Sequence, residues 1–161
     1  MVSTVVASIW ASVPFVPTPK RTVDKMIELA DLKGGETVYD IGAGDARMLI
    51  RVAKKYPGIK AVGYEIVPLV WMLGKLRILF CRSSVRLNFG NSLRADVSDA
   101  DCVLMYMITG LMPKFAKKFD KELKHGTKVI SHGFKFPDRP FLSSAEVHGM
   151  LGINRIYYYE W

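Results

Sequence analysis

The residues that could do chemistry lie in two short runs. Val38-Tyr39-Asp40-Ile41-Gly42-Ala43-Gly44-Asp45-Ala46-Arg47 sets an acid and two glycines between an apolar segment and a helix-forming one. A strand that stops at Asp40 and turns through Gly42 and Gly44 lets backbone amides approach a ligand with no Cβ in the way. The second run, Lys60-Ala61-Val62-Gly63-Tyr64-Glu65-Ile66, is again apolar with an acid near its end. Between them, Arg47 to Lys55 carries Met48, Leu49, Val52 and Ala53 on one helical face, with Arg51, Lys54 and Lys55 outside. The pattern predicts a βαβ unit with a carboxylate at each strand tip. The plainer alternatives are a helix cap for Asp40 and a surface acid before a turn for Glu65.

The position of the first acid separates two kinds of nucleotide cradle. A dinucleotide fingerprint, Gly-x-Gly-x-x-Gly, would need its third glycine at position 47, which is arginine. The S-adenosylmethionine pattern, Asp/Glu-x-Gly-x-Gly-x-Gly, is met by Asp40, Gly42 and Gly44 and departs at Ala46. That donor carries an ammonium and a sulfonium and no pyrophosphate, so a carboxylate beside the turn attracts it. Glu65, at the neighbouring tip, can accept hydrogen bonds from both ribose hydroxyls.

These runs sit in a chain of 161 residues, half of them hydrophobic, which is the size and composition of one domain with a real core. The formal charge of +8 points to an acidic partner or surface. Lys and Arg are scattered, with no run of five and no interleaved aromatics, which favours solvated helix faces over a nucleic-acid groove. Two cysteines, Cys81 and Cys102, without a Cys-x-x-Cys, argue for a reducing compartment. His125, His132 and His148 lack metal-like spacing, so no metal is assigned.

The elements that must position the two acids follow in order. Residues 1–19 form an apolar, proline-rich arm too interrupted for a membrane span of about 20 residues. It is either packed on the domain or the end of a membrane anchor. Val13 to Pro19 is stiff and extended, a natural lid over a cofactor, and Thr18 or Pro19 opens a helix that Gly34-Gly35 stop. The domain proper is expected over 20–161. Pro68 to Phe80 predicts a helix apolar almost all round, either buried or lying against a partner or bilayer. Val85–Phe89, Asp101–Ile108 and Val129–Phe134 read as strands, Met112–Leu123 as a helix, and Ala145–Met150 with Arg155–Trp161 as a closing antiparallel pair. Asn91, just after the first of these strands, is either a turn residue or an amide able to pair with a base edge.

The run Phe-Val-Pro-Thr-Pro at 15–19, the turn Gly-Ala-Gly-Asp-Ala-Arg at 42–47 and Gly-Tyr-Glu-Ile at 63–66 resemble the small protein-lysine methyltransferases of archaea and bacteria. These are relatives of the mitochondrial ATP synthase c-subunit lysine methyltransferase. The resemblance implies an α/β, Rossmann-like class I methyltransferase fold: a mostly parallel sheet with an antiparallel C-terminal strand and helices on both faces. It implies methyl transfer from S-adenosyl-L-methionine, leaving S-adenosyl-L-homocysteine, to a lysine amine of a protein, in the cytoplasm or at the inner face of a membrane. Membrane contact would run through the N-terminal arm or the helix at 68–80. Cofactor contacts are expected from Pro17, Thr18, Asp40, Gly42, Ala43, Gly44, Asp45, Glu65, Ile66, Asn91, Ser92 and Met107. Tyr106 and Tyr64 are either the lining of an acceptor channel or core tyrosines. The family usually has glycine where this chain has Ala46, and a methyl group there is expected to crowd helix against strand. The absence of Asn-Pro-Pro-Tyr after the fourth strand counts against amino-adenine and glutamine acceptors. RNA or a small molecule as acceptor, and a non-catalytic binding module, are the competing readings.

Overall fold

Strand β1, Thr37–Ile41, is the interior of the molecule. Its alternation sends Val38 and Asp40 to one face of a sheet and Tyr39 and Ile41 to the other, and all four are buried. The computed structural model describes residues 16–149 and 152–161. Parallel neighbours flank β1: β2, Lys60–Glu65, on one side and β4, Cys102–Met105, on the other. With β3, Arg86–Phe89; β5, Lys128–His132; β6, Ser143–Gly149; and β7, Gly152–Glu160, the order across the sheet is β3-β2-β1-β4-β5-β7-β6. The first five strands are parallel. β7 runs antiparallel to β5, and β6 antiparallel to β7. Because the chain leaves β1 toward β2 and returns on the far side to β4, the order reverses beside β1. Open α/β sheets bind ligands at such a point.

Helices cover both faces. On one, α1 (Lys20–Ala30), α2 (Arg47–Lys55) and α3 (Pro68–Phe80) pack Met26, Ile27, Leu49, Val52 and Ile78 over Val38, Leu104 and Ile130. On the other, α4 (Met112–Glu122) lays Phe115 and Phe119 on Val103, Met105 and Val129, and Phe136 and Trp161 close the layer. Asp31, in the left-handed conformation at φ 42°, ends α1 before Gly34-Gly35.

Two strands stop two or more residues before the apolar pattern predicts. β4 ends at Met105 and not Ile108, because Tyr106, Met107 and Ile108 leave the ladder to border a cavity. β5 ends at His132 and not Phe134, because Gly133 at φ +81° turns the chain and Phe134 joins the same cavity.

Helix α3 seats itself through a glycine. A Cβ on Gly74 would lie 2.5 Å from Leu87 Cδ2, 3.1 Å from the Gly44 carbonyl oxygen and 3.3 Å from the Asp45 carbonyl carbon. The helix therefore rests directly on the backbone of the first glycine turn. Gly74→Ala is expected to cost about 1–3 kcal/mol of stability by overpacking this contact and to weaken donor binding along with it. Thermal unfolding and calorimetry measure the two effects, and a variant as stable as the parent would show that the contact is loose.

Candidate active site

The turn after β1 is built from left-handed residues. Gly42 (φ +73°), Gly44 (φ +56°) and Ala46 (φ +61°) each adopt a conformation that L side chains avoid, so the chain reverses within five residues. The Ala43 amide donates to the Tyr64 carbonyl at 2.9 Å, and the Ala46 amide to the Ala43 carbonyl at 2.9 Å. Ala46 lies outside the cavity lining, and its methyl group is fully buried in the core. The close helix–sheet approach expected of a third glycine comes instead from Gly63, where a Cβ would meet Ala43 Cβ at 2.7 Å and Leu49 Cδ1 at 2.8 Å, and from Gly74.

Glu65 ties the turn to its surroundings. One carboxylate oxygen accepts from the Gly44 amide at 2.9 Å and the other from the Val67 amide at 2.7 Å. Each oxygen keeps a second lone pair, and the side chain is 7% exposed on the cavity wall. Asp40 differs. It is 1% exposed, its Oδ1 has no hydrogen-bond partner, and burial, helped by the charges of Glu65 and Asp45, pushes its pKa up to about 8. A buried acid with an orphaned oxygen on a cavity wall is matched by a cationic ligand. Asp45 also borders the cavity, and its carboxylate is held by Arg47 at 2.7 Å and by Arg77 of α3 at 2.9 Å. Burial opposes ionisation there, but the hydrogen bond and charge of Arg47, with the charge of Arg77, keep the acid below its ordinary range. This side chain fastens α3 to the turn.

A cavity of about 500 Å³ opens over the turn, a volume suited to a small-molecule cofactor. Every residue expected at the site borders it, from Pro17 and Thr18 through Gly42, Ala43, Ile66, Asn91, Ser92 and Met107 to Tyr64 and Tyr106. The first fifteen residues of the expected arm lie outside the described residues, so only the end of the expected lid is seen. Asn91 spends its carbonyl oxygen capping the turn at Ser92–Arg94, where Leu93 donates at 3.0 Å, and leaves its NH₂ as a donor. Met107 lays its methyl group over Gly42, so close that a Cβ there would sit 2.2 Å from it.

The two tyrosines are not brought together. Tyr64 lies two strands from β4 and stacks on Tyr39, with ring centroids 6.5 Å apart and an interplanar angle of 8°. Tyr106 lies against His132 at 4.0 Å and Phe134 at 6.3 Å, so the aromatic end of the cavity is Tyr106 with Phe134. Sequence reasoning missed Phe134 and His132. His132 is 2% exposed, and its Nε2 hydrogen-bonds the side-chain Oδ1 of Asn154 at 3.0 Å. Burial lowers its pKa against the opposing pull of that bond, so it is neutral at physiological pH. Among the described residues, no cluster of three or more His, Cys, Asp or Glu side chains could hold a metal.

Residues 40–141 match the model of the ANTKMT methyltransferase domain. A protein-lysine N-methyltransferase of Saccharolobus islandicus is 37% identical over 132 residues, covering 76% of this chain and 78% of the relative. The chain belongs to the ANTKMT methyltransferase family. The ATP synthase c-subunit lysine N-methyltransferase of Rattus norvegicus is 32% identical over 128 residues, but the match spans only 57% of that longer protein. The crystal structure of an RNA methyltransferase from Salinibacter ruber, in complex with S-adenosyl-L-homocysteine, superposes with a TM-score of 0.84 at 31% identity, covering 90% of this chain and 93% of that one. The fold is Rossmann-like, as in other methyltransferases, and the family uses S-adenosylmethionine as its methyl donor. Both of these curated relatives are named for lysine methylation.

Proposed function

We propose that the chain moves a methyl group from S-adenosylmethionine to the side-chain amine of an accessible lysine on a protein. The observation that carries this reading is one cavity bordered both by the strand-tip acids of β1 and β2 and by Tyr106 and Phe134, which follow β4 and β5. Asp40 answers the cationic amino-acid portion of the donor, and Glu65 the ribose hydroxyls. Asn91, through its free NH₂, and Ile66, through apolar contact, flank the base, while Pro17 and Thr18 cover the donor from the proline loop. When bound, the donor supplies an electrophilic methyl group on a sulfonium.

What the chain must do is align and dehydrate the nucleophile. A lysine ammonium with a pKa near 10.4 is neutral at pH 7 only at a cost of about 4–5 kcal/mol in water. Desolvation between Tyr106 and Phe134, beside a positive sulfonium, lowers that pKa, so no dedicated base is required. The aromatic faces also accept a partly methylated amine. We further place the enzyme in the cytoplasm at the inner face of a membrane, held through the arm at 1–19 or through α3. Among the described residues, no helix is long and apolar enough to cross a bilayer.

The Salinibacter ruber relative favours a second reading, methylation of RNA. Incubation with radiolabelled donor and separate protein, RNA and metabolite fractions decides between them. Label in protein that is recovered as methyl-lysine after hydrolysis is expected, with Tyr106→Ala lowering its rate about tenfold or more through lost alignment of the amine. Label confined to RNA or to small molecules overturns the lysine reading. Donor binding with no turnover on any fraction would make the chain a binding module.

A further inference from the structure

Helix α3 is apolar on two faces and uses one. Val70, Gly74 and Ile78 form the buried seam, and Trp71 donates its indole N–H to the Leu87 carbonyl of the edge strand at 3.3 Å. Projected at 3.6 residues per turn, Leu69, Met72, Leu73, Leu76, Leu79 and Phe80 occupy the arc opposite that seam. All six are exposed, Leu79 by 70% and Phe80 by 82%. Lys75 stands at one border of this arc and Arg77 at the other. A contiguous apolar face of this kind marks an interaction surface.

Charge selects the occupant. From Ile66 to Ala95, thirty residues, the chain has Lys75, Arg77, Arg82, Arg86 and Arg94 and not one acid. All five cations are exposed, Arg77 while also paired with Asp45. A second copy of the chain would set these cations against their own kind around the contact. Nucleic acid would answer the cations and leave six aliphatic and aromatic side chains without an apolar partner. An anionic bilayer satisfies both features, with acyl chains for the apolar arc and headgroups for its rim.

We propose that the outward face of α3 docks on an anionic lipid bilayer and sets the mouth of the cavity, bordered by Ile66 and Val67 immediately before the helix, at the membrane surface. Because Gly74 rests on the Gly44 carbonyl and Arg77 holds Asp45, the docked helix is the one that supports the donor cradle. This deepens the placement of the enzyme at a membrane.

The test uses the full chain in vesicle flotation. Phosphatidylcholine vesicles carrying about one-third phosphatidylglycerol are expected to float the protein. Pure phosphatidylcholine vesicles, or high salt, are expected to leave most of it behind. The double variant Leu76→Glu with Leu79→Glu, at exposed positions away from the cavity, is expected to lose at least about tenfold in vesicle partition while melting like the parent.

A second readout isolates α3 from the N-terminal arm. Cys81, next to the helix, is exposed, whereas Cys102 is buried with its thiol pushed up to about 12, so an environment-sensitive dye labels Cys81 selectively. Its emission is expected to shift to the blue on anionic vesicles. Unchanged flotation of the double variant, no dye shift, or a dimer that the double variant abolishes would each overturn the proposal. Donor calorimetry on the same samples keeps the readings apart: failure to bind donor sinks the methyltransferase assignment for this chain, and flotation still decides docking.

Discussion

Glu65→Ala is expected to lower donor affinity by two to three orders of magnitude and to destabilise the donor-free protein. Both consequences follow from the same carboxylate. In the folded chain its two oxygens accept the Gly44 and Val67 amides, at 2.9 and 2.7 Å. Truncation leaves two largely enclosed N–H groups without acceptors, at about 1–3 kcal/mol each. Loss of charge-assisted bonds to two ribose hydroxyls adds about 1.5–3 kcal/mol to the binding deficit for each bond that is not replaced by water. Glu65→Gln separates the contributions. An amide can accept one of the two backbone bonds and must present its NH₂ to the other donor, so the glutamine variant should be destabilised as well. A surface acid before a turn would give neither effect. Chemical denaturation and calorimetry with the donor measure both, and a glutamine variant with parental stability would show that the Glu65 staple contributes little.

How much of this site was legible in the chain depends on the range of each interaction. Asp40 and Glu65 were readable because a strand tip and the turn after it occupy one local window, and the βαβ spacing places the two windows side by side. The same local reading found Asn91 and the end of the proline loop. It could not see that Asp45 is committed to Arg77 or that Gly74 sits on Gly44, because those partners are some thirty residues away and nothing in either window marks the contact. Asp45 illustrates the limit: an acid inside the turn looks like a ligand-binding group, and its own window does not show that Arg77 of α3 joins Arg47 in pairing with it. Strand ends failed for a related reason. Asp101 to Ile108 is continuously apolar, and hydrophobicity is equally satisfied by a ladder residue and by a residue lining a cavity. Tyr106 and Met107 are the second kind.

Ala46 is the one position of the turn that departs from the pattern, and its methyl group goes into the core. The expected consequence of its methyl group was poor approach of helix to sheet. The backbone there does take the left-handed conformation that glycine would occupy freely, at a cost of about 1–2 kcal/mol for alanine. The side chain, however, enters the core beside Met48 and Leu49, where burial of a methyl group returns about 0.8 kcal/mol. The cradle wall facing the cavity remains glycine and backbone at positions 42 and 44. Close approach of the neighbouring elements is carried at other positions, by Gly63 against Ala43 and Leu49 and by Gly74 against Gly44 and Asp45.

Donor binding should release a proton, and Asp40 is the group that loses it. Its pKa of about 8 in the folded chain lies above the ordinary aspartate value of 3.8. Between those values the folded protein holds a proton that the unfolded chain has lost. Stability of the donor-free protein therefore falls as pH rises from about 4 to about 8, and this group's contribution is flat outside that window. A cationic donor seated against the carboxyl reverses the preference, because the buried anion then has its counter-charge. Near pH 6, binding is expected to release about one proton, and affinity should rise by up to about tenfold per pH unit until it levels above pH 8. Calorimetry in buffers of different ionisation enthalpy counts that proton directly. Asp40→Asn should abolish the release and weaken binding about a hundredfold, yet at pH 9 the variant should unfold at a higher temperature than the parent, since it carries no buried anion to oppose folding. Binding without proton release near pH 6, or an asparagine variant less stable than the parent at pH 9, would show that Asp40 is already ionised and paired before the donor arrives.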